Sequence, residues 1–361
     1  MISNNPASAK RKVFFLLSCL GSGGSERVFW NVSQGLNKSM FDVAIVILNS
    51  RVSCYSMDLE NVRIIDLNTL KASKSFYALY KLLKKEKPDV VFSTTDHINM
   101  LVSIVARFFR STDFIARISN IPSEQKLYDD NKAKFYSLFA KLSYKVFDRI
   151  ICQTEAMQQA VQNDYSIDED KTMVIPNPVI KGDWIKTAHN SSKQFRLLLV
   201  ARFAPEKGLD RLIDIFSTLP SNYHLSMVGK GRLKDEIIKK VENLGLNNRV
   251  SFLGEIKNVQ EVMTQHDLLV LSSYTEGCPN VVIEALSVGL PVVGFHVSGM
   301  KELIIEGFNG FVIQQNDLFG FKEKIIQACE STVWNYKEIK TDVYTKFDLK
   351  RVSKAYEELI N

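Results

Sequence analysis

The chain has 361 residues, of which 45% are hydrophobic and 24% charged, with a formal net charge of +6. This is the balance of a soluble globular protein, long enough for about two domains that each bury a core. No apolar stretch approaches the ~20 residues of a membrane-spanning helix. The opening MISNNPASAKRKVFFLL sets basic residues before a short apolar run that stops at Ser18. It reads as a buried strand rather than a signal peptide. Five scattered cysteines, Cys19, Cys54, Cys152, Cys278 and Cys329, are odd in number and point to a reduced, cytoplasmic protein without a disulfide framework. The charge is uneven. Residues 1–150 hold 22 Lys+Arg against 13 Asp+Glu, the remainder 24 against 27. The first half therefore suits an anionic partner, nucleic acid or a membrane surface, with solubility alone as the plain alternative.

In chain order, the spacing predicts strands at VFFLLS (13–18), DVAIVIL (42–48), DVVFST (89–94), DFIARIS (113–119) and DRIICQT (148–154). The second half offers RLLLVA (196–201), HLSMVG (224–229), RVSFLG (249–254), LLVLSS (268–273) and LPVVGF (290–295). Amphipathic stretches such as SFYALYKLLKKEK and LKDEIIKKVENLG lie between them. Near-continuous apolar strands separated by helices mean parallel sheets covered on both faces. The polar, aperiodic segment 175–196 reads as the linker between two doubly wound halves. Ligands in such sheets bind at the carboxyl ends of the strands, so two such edges are expected to line a cleft.

Within TEGCPNVVIEALSVGLPVV (275–293), Glu284 interrupts an apolar helical run. A carboxylate withdrawn from water is costly without a partner. Gly289 suits a helix C-cap, Pro291 prevents continuation, and Pro279 fits the first helical turn. Free amides near Asn280 and Val281 then form an anion site at a helix N-terminus, with Glu284 on the same face. Glu276 lies in the preceding loop. A nucleotide-sugar, with a diphosphate between two polyols, would use all three features. After RLLLVA, Arg202 and Lys207 stand at a strand's carboxyl end, and Gly208 turns the chain into a helix. After the first strand, CLGSGGSERVFWNV offers Gly21, Gly23 and Gly24 for close approach to a phosphate, a pattern that also fits a dinucleotide site.

Together these stretches resemble the family 4 retaining glycosyltransferases of the GT-B fold. EGCPNVVIE looks like that family's E-x7-E motif, with Glu276 and Glu284 as its acids. VARFAPEKGLDRLIDIF is similar to its Arg…Lys-Gly segment, and GGSERV to its N-terminal glycine loop. VIPNP (174–178) and VSFLGEIKNVQEVMTQHDLLVLSSYTEG match in order and spacing. The resemblance implies an α/β chain of two Rossmann-like doubly wound parallel-sheet domains. An acceptor-binding domain would span 1–180 and a donor-binding domain 181–346, with a C-terminal helix, 347–361, packing back on the first.

The implied activity is metal-independent transfer, with retention, of a hexose or N-acetylhexosamine from a UDP-sugar to a growing, lipid-linked cell-surface glycan. Arg202 and Lys207 would hold the leaving diphosphate in place of a divalent metal, the largest expected catalytic contribution. Glu276 would bind the donor sugar, Glu284 the ribose, and amides near Asn280 and Val281 the phosphate. Gly23, Gly24, Gly277, Cys278 and Pro279 would complete the donor's surroundings. The family often has a histidine just after its PDVV-type strand, where this chain has Thr94. His97 is the substitute, as in a subgroup with a longer polar turn ending in Asn, here Asn99.

Other features weigh less. Asp129–Asp130 resembles a metal-binding pair but fits better as a complement to a helix N-terminus. His189, His224, His266 and His296 lack ligand spacing, and Cys278 lacks a paired base, so neither a structural metal nor a thiol nucleophile is expected. The helix KAKFYSLFAKLSYKVF carries Phe135, Leu138, Phe139 and Leu142 on one stripe, read as core. Its lysines, with Lys81, Lys84 and Lys85, suit anionic lipid and imply a peripheral protein on the inner face of the cytoplasmic membrane. No RNA-recognition or helix-turn-helix pattern competes. Rival readings are a soluble-acceptor transferase, a GT-B epimerase of UDP-N-acetylglucosamine, a non-enzymatic subunit with a degenerate site, and a dehydrogenase. The last lacks an acidic residue at the expected distance from a full glycine fingerprint.

Overall fold

A computed structural model describes residues 9–21, 23–51, 59–70, 74–121, 141–187, 194–331 and 333–361. The chain forms two compact units, Met1–Pro178 with Leu349–Asn361, and Val179–Asp348. The first holds seven strands, β1 (Arg11–Leu17), β2 (Phe41–Ile47), β3 (Val62–Asp66), β4 (Val90–Thr94), β5 (Asp113–Arg117), β6 (Arg149–Cys152) and β7 (Thr172–Val174). They pair in parallel in the order β3-β2-β1-β4-β5-β6-β7. The side-chain period of two divides β1 between two cores. Phe14 and Leu16 join one cluster, while Val13, Phe15 and Leu17 join the cluster on the other face.

The second unit has six parallel strands, β8 (Phe195–Val200), β9 (Tyr223–Val228), β10 (Val250–Gly254), β11 (Leu268–Leu271), β12 (Val292–Phe295) and β13 (Gly310–Ile313). Their order is β10-β9-β8-β11-β12-β13. Here too alternation feeds two cores. Leu197 and Leu199 face one cluster, Leu198 and Leu269 the other. In each sheet the strand order reverses once, between β1 and β4 and between β8 and β11. Beyond the carboxyl ends of these pairs the connecting loops depart in opposite directions and leave a crevice.

Ten strands follow the sequence reading, and three do not. β3, β7 and β13 lie outside the expected set, and each is at an edge of its sheet, as is β10, which the set includes. An outer strand has no neighbour on one side, so β3 carries Arg63 and Asp66 where a central strand would carry valine or leucine. The segment read as a linker is fastened down over much of its length. Asn177 is buried in the first unit. In the second, Lys186 is buried against Asp267 at 3.1 Å, and Lys340 Nζ donates to the carbonyls of Gly182 and Trp184. Leu142, read as core, is 63% exposed; Tyr144 and Phe147 fill the interior instead. Asp129, Asp130, His189, Cys54, Phe135, Leu138 and Phe139 lie outside the described residues.

The closing helix Leu349–Ile360 belongs to the first unit. Its Val352, Tyr356 and Ile360, one turn apart, enter the cluster containing Phe15, Phe29 and Phe92. Tyr356 lies 5.3 Å from the Phe92 ring, which stacks on Phe15 at 5.0 Å. Emptying that position leaves a cavity under the central strands. Tyr356→Ala should destabilise the first unit by about 3–5 kcal/mol, read by scanning calorimetry. An unchanged transition would show that the helix adds nothing to this core.

Candidate active site

In the second unit, two loops meet where β8 and β11 pair. After β8 the chain passes Arg202, makes one 3₁₀ turn over Pro205–Lys207, and enters the helix Leu209–Ser217 through Gly208. Gly208 has φ +59°, and a Cβ there would run into the Ser272 carbonyl oxygen. Only glycine permits this turn at this closeness. After β11 the chain runs through Ser272, Ser273 and Glu276 to the helix Asn280–Ser287. Lys207 Nζ reaches Glu276 Oε1 at 2.7 Å, with both side chains largely withdrawn from solvent. Ser273 Oγ donates to the same oxygen at 2.7 Å, and Ser272 Oγ donates to the Lys207 carbonyl at 2.8 Å.

Lys207 and Glu276, 69 residues apart, are thus brought together. Arg202 is not joined to them by any of these bonds. It is 72% exposed and its guanidinium donates to Glu206 Oε1 at 2.6 Å. That pair joins residues four apart in the loop, and the arginine side chain remains mostly in water. Ser273, which fixes the Glu276 oxygen, was not singled out by sequence, because a serine after a strand carries no distinguishing pattern.

The helix runs Asn280–Ser287. Pro279 is its N-cap, not its first helical residue, and the Pro279 carbonyl accepts from Val282 N. Gly277, Cys278 and Pro279 are buried, whereas Asn280 and Val281 at the helix start are partly open. The helix ends in a Schellman motif, with Gly289 at φ +85°. Gly289 N–H donates to Leu286 O and Leu290 N–H to Ala285 O. Glu284 sits one turn in and is 8% exposed, so the carboxylate does lie within the apolar helix.

In the first unit, the helix Gly24–Gly35 starts at Gly23 beyond β1, and the helix Asp96–Ala106 starts beyond β4. No longer polar turn follows β4. Thr95 alone separates strand from helix, and Asn99, expected to end such a turn, is a buried helical residue. Asn99 Nδ2 donates to Tyr144 Oη at 3.1 Å, and Tyr144 Oη donates to Asp96 Oδ1 at 2.9 Å. Burial, then the nearby Asp96, push the Tyr144 hydroxyl well above its usual range. His97 is exposed. Partial loss of hydration draws its imidazole below the usual range, opposed by the charges of Asp96 and Glu26.

Two features here escaped the sequence reading. Glu26 folds back so that a Cβ on Gly23 would meet its carboxylate, and Ser18 Oγ donates to it at 3.4 Å. Thr95 has φ +72° and ψ +141°, a region that L residues rarely adopt and that is least tolerated by a β-branched one. Its hydroxyl is buried without a hydrogen-bond partner. Such strain persists where surrounding structure enforces it, commonly at functional sites.

Two parallel-sheet units, each with its polar groups at the reversal of strand order, define the GT-B class of protein. Solved structures agree. That of Anabaena HepE in complex with UDP and glucose superposes with a TM-score of 0.80 at 19% identity, covering 97% of this chain and 99% of that one. Family models account for both halves. Glycosyltransferase Family 4 matches residues 22–180, and glycosyl transferases group 1 matches residues 182–341. The chain belongs to the family 4 glycosyltransferases. Among curated relatives, the Escherichia coli UDP-Gal:alpha-D-GlcNAc-diphosphoundecaprenol alpha-1,3-galactosyltransferase is 27% identical over 360 residues, covering 92% of each chain. A Campylobacter jejuni alpha-1,4-N-acetyl-D-galactosaminyltransferase, named for a GalNAc-containing, diNAcBac-PP-undecaprenol-linked acceptor, is 27% identical over 328 residues, 87% of this chain and 88% of its own.

Thr95→Gly removes the cost of the left-handed threonine, about 1–3 kcal/mol, against about 0.5–1 kcal/mol of added chain entropy. Its melting temperature should rise. Glycosyl transfer should stay within about twofold, because glycine keeps the backbone conformation that directs the start of the helix carrying His97. A lower melting temperature would show that no strain resides there.

Proposed function

We propose that this glycosyltransferase moves a hexose or N-acetylhexosamine from a UDP-sugar to a lipid-linked glycan, with retention and without a divalent metal. The observation that carries the reading is the Lys207–Glu276 pair at the β8–β11 reversal, beside the open start of the helix Asn280–Ser287. A cation, a carboxylate and the N-terminus of a helix suit, in turn, a diphosphate, sugar hydroxyls and a phosphate oxygen. Relatives named for UDP-Gal and for undecaprenol-linked acceptors support the donor and acceptor classes.

In the proposed step the bond between the donor's C1 and the diphosphate oxygen breaks, and its electron pair leaves with UDP. Lys207, Arg202 and the amides at Asn280 and Val281 stabilise the charge that develops there. The acceptor hydroxyl forms the new bond to C1 from the face the diphosphate left, and its proton passes to a departing phosphate oxygen. Glu276 holds the donor sugar's hydroxyls and Glu284 the ribose. Gly277, Cys278 and Pro279 shape the turn between them. His97 is the candidate for acceptor hydroxyls. Gly23 and Gly24 are candidates for contact with a polyol, whereas the Glu26 carboxylate folded over Gly23 disfavours a phosphate.

Calorimetry with UDP, and rates with a panel of UDP-sugars in excess chelator, test this assignment. Glu284→Gln should weaken UDP by about 1.5–3 kcal/mol, roughly 10- to 150-fold, through loss of a charge-assisted hydrogen bond. Glu276→Gln frees Lys207 from its carboxylate, so UDP should bind equally or more tightly while turnover drops. A lowered melting temperature for Glu284→Gln with unchanged UDP affinity would mark it as a structural charge. Loss of turnover in chelator would restore a metal to the diphosphate.

The membrane is proposed to meet the first unit. No helix among the described residues is long and apolar enough to cross a bilayer. Tyr77 and Phe108 are mostly exposed, and both Tyr80 and Phe76 contact the Phe108 ring, at 5.8 and 6.1 Å. Lys81 lies over Tyr77, and Lys84, Lys85, Arg107 and Arg110 flank the patch in sequence. Aromatic side chains beside a basic cluster suit the interface of an anionic bilayer. Sedimentation with phosphatidylglycerol vesicles should fall with salt, and Lys84→Glu with Lys85→Glu should weaken it at least about tenfold. Equal, salt-insensitive binding to phosphatidylcholine would leave the charge as a solubility feature.

A further inference from the structure

Arg211 lies on the helix Leu209–Ser217, where its place in an amphipathic stretch suggests a solvated charge. It is 5% exposed. Its Nε donates to the Ser272 carbonyl at 2.8 Å, and one terminal nitrogen donates to the carbonyls of Ser272 and Ser273 at 2.6 and 2.7 Å. The other donates to Gln315 Oε1 at 2.9 Å. The guanidinium also lies 3.7 Å from the Tyr274 ring centroid and 3.9 Å from that of Phe295. Gln315, just beyond β13, completes the arrangement. Its Nε2 donates to Ser273 O at 3.2 Å, Tyr274 O at 3.3 Å and His296 O at 3.0 Å.

The loop so held is the one that places the donor groups. Ser273 gives its carbonyl to Arg211 and its hydroxyl to Glu276, while Ser272 gives its carbonyl to Arg211 and its hydroxyl to the Lys207 backbone. A planar fork with five donors can satisfy several carbonyls at fixed angles, which a lysine cannot. We propose that Arg211, braced by Gln315, is a positioning residue that sets the Lys207–Glu276 pair for glycosyl transfer; this rests on the reading of that pair as donor-binding.

Donor hydrolysis tests it without an acceptor, followed as UDP release. The probe is whichever of UDP-glucose, UDP-galactose, UDP-N-acetylglucosamine and UDP-N-acetylgalactosamine turns over fastest. Well below the melting temperatures, Arg211→Lys should lower kcat by about 10- to 100-fold with KM within about threefold, the cost of a small misplacement. Should that variant not fold, Gln315→Ala carries the same test, with an expected kcat loss of about 3- to 10-fold. Val241→Ala, a core truncation in the helix Lys234–Asn243, should lower the melting temperature yet keep kcat within about twofold. If Arg211 acts through Glu276, Arg211→Lys combined with Glu276→Gln should be hardly slower than Glu276→Gln alone.

Fully multiplied losses, a loss confined to KM, or an equal kcat loss in Val241→Ala would overturn the proposal. Normal turnover by Arg211→Lys beside a slow Glu276→Gln would overturn it alone. Normal turnover by Glu276→Gln would overturn the reading of the site and the proposal with it.

Discussion

The second unit's site depends on how the chain leaves β11. That strand lies inside the sheet, between β8 and β12, and its last residues are fully packed. The carbonyls of Ser272 and Ser273 are therefore buried just where the sheet's own ladder ends, and each needs a donor. Arg211 supplies it from the neighbouring helix, and Gln315 from beyond β13. An unsatisfied carbonyl here would cost about 1–3 kcal/mol. A backbone conformation bound this way is also a fixed platform for the serine hydroxyls, and through them for Lys207 and Glu276. Stability and the placement of Lys207 and Glu276 thus come from the same bonds.

The first unit uses a related device with different acceptors. Arg117, at the end of β5, is 1% exposed. It donates to Thr94 Oγ1 at 3.3 Å and to Asn177 Oδ1, and Asn177 passes a bond to Gln153 Oε1 at 2.9 Å. Gln153 in turn donates to the Ile118 carbonyl at 2.7 Å. The guanidinium therefore anchors the last residue of β4, directly before the strained Thr95. A left-handed threonine requires neighbours on both sides that cannot relax. Thr94 is held by Arg117, and the helix that follows is held by the Asn99, Tyr144 and Asp96 bonds. The VIPNP stretch acquires a physical role here, since its Asn177 closes this buried network.

Interior strands were legible because burial on both faces forces an unbroken apolar run, as in Val13–Leu17. The edge strand β3 was not, since solvent on one side admits Arg63 and Asp66 without cost. Glycine at 208 and 289, the two acids, and the Lys-Gly turn were legible because their chemistry conflicts with a bland reading of their surroundings. Arg211 and Gln315 have no such local conflict. A single arginine on a helix with Asp210 and Asp214 looks like an ordinary solvated face, and only the tertiary fold puts carbonyls beneath it. Leu142 fails for the opposite reason. Helical spacing assigns it to a stripe, but whether a stripe faces a core depends on what packs there.

The two units carry the same switch-point geometry and opposite chemistry at their helix starts. In the first, Glu26 lies in the opening turn and folds over Gly23. A carboxylate there already satisfies the helix's partial positive charge, and a phosphate would meet it as a like charge. In the second, the opening turn of Asn280–Ser287 contains no acid, and Glu276, in the loop before it, is bound to Lys207. This helix N-terminus has no acid of its own to offset its partial positive charge, and the charge of Lys207 is offset by Glu276. Electrostatics therefore favour an anion at the second unit over the first, although glycine-rich turns alone make both ends look equally suited to phosphate.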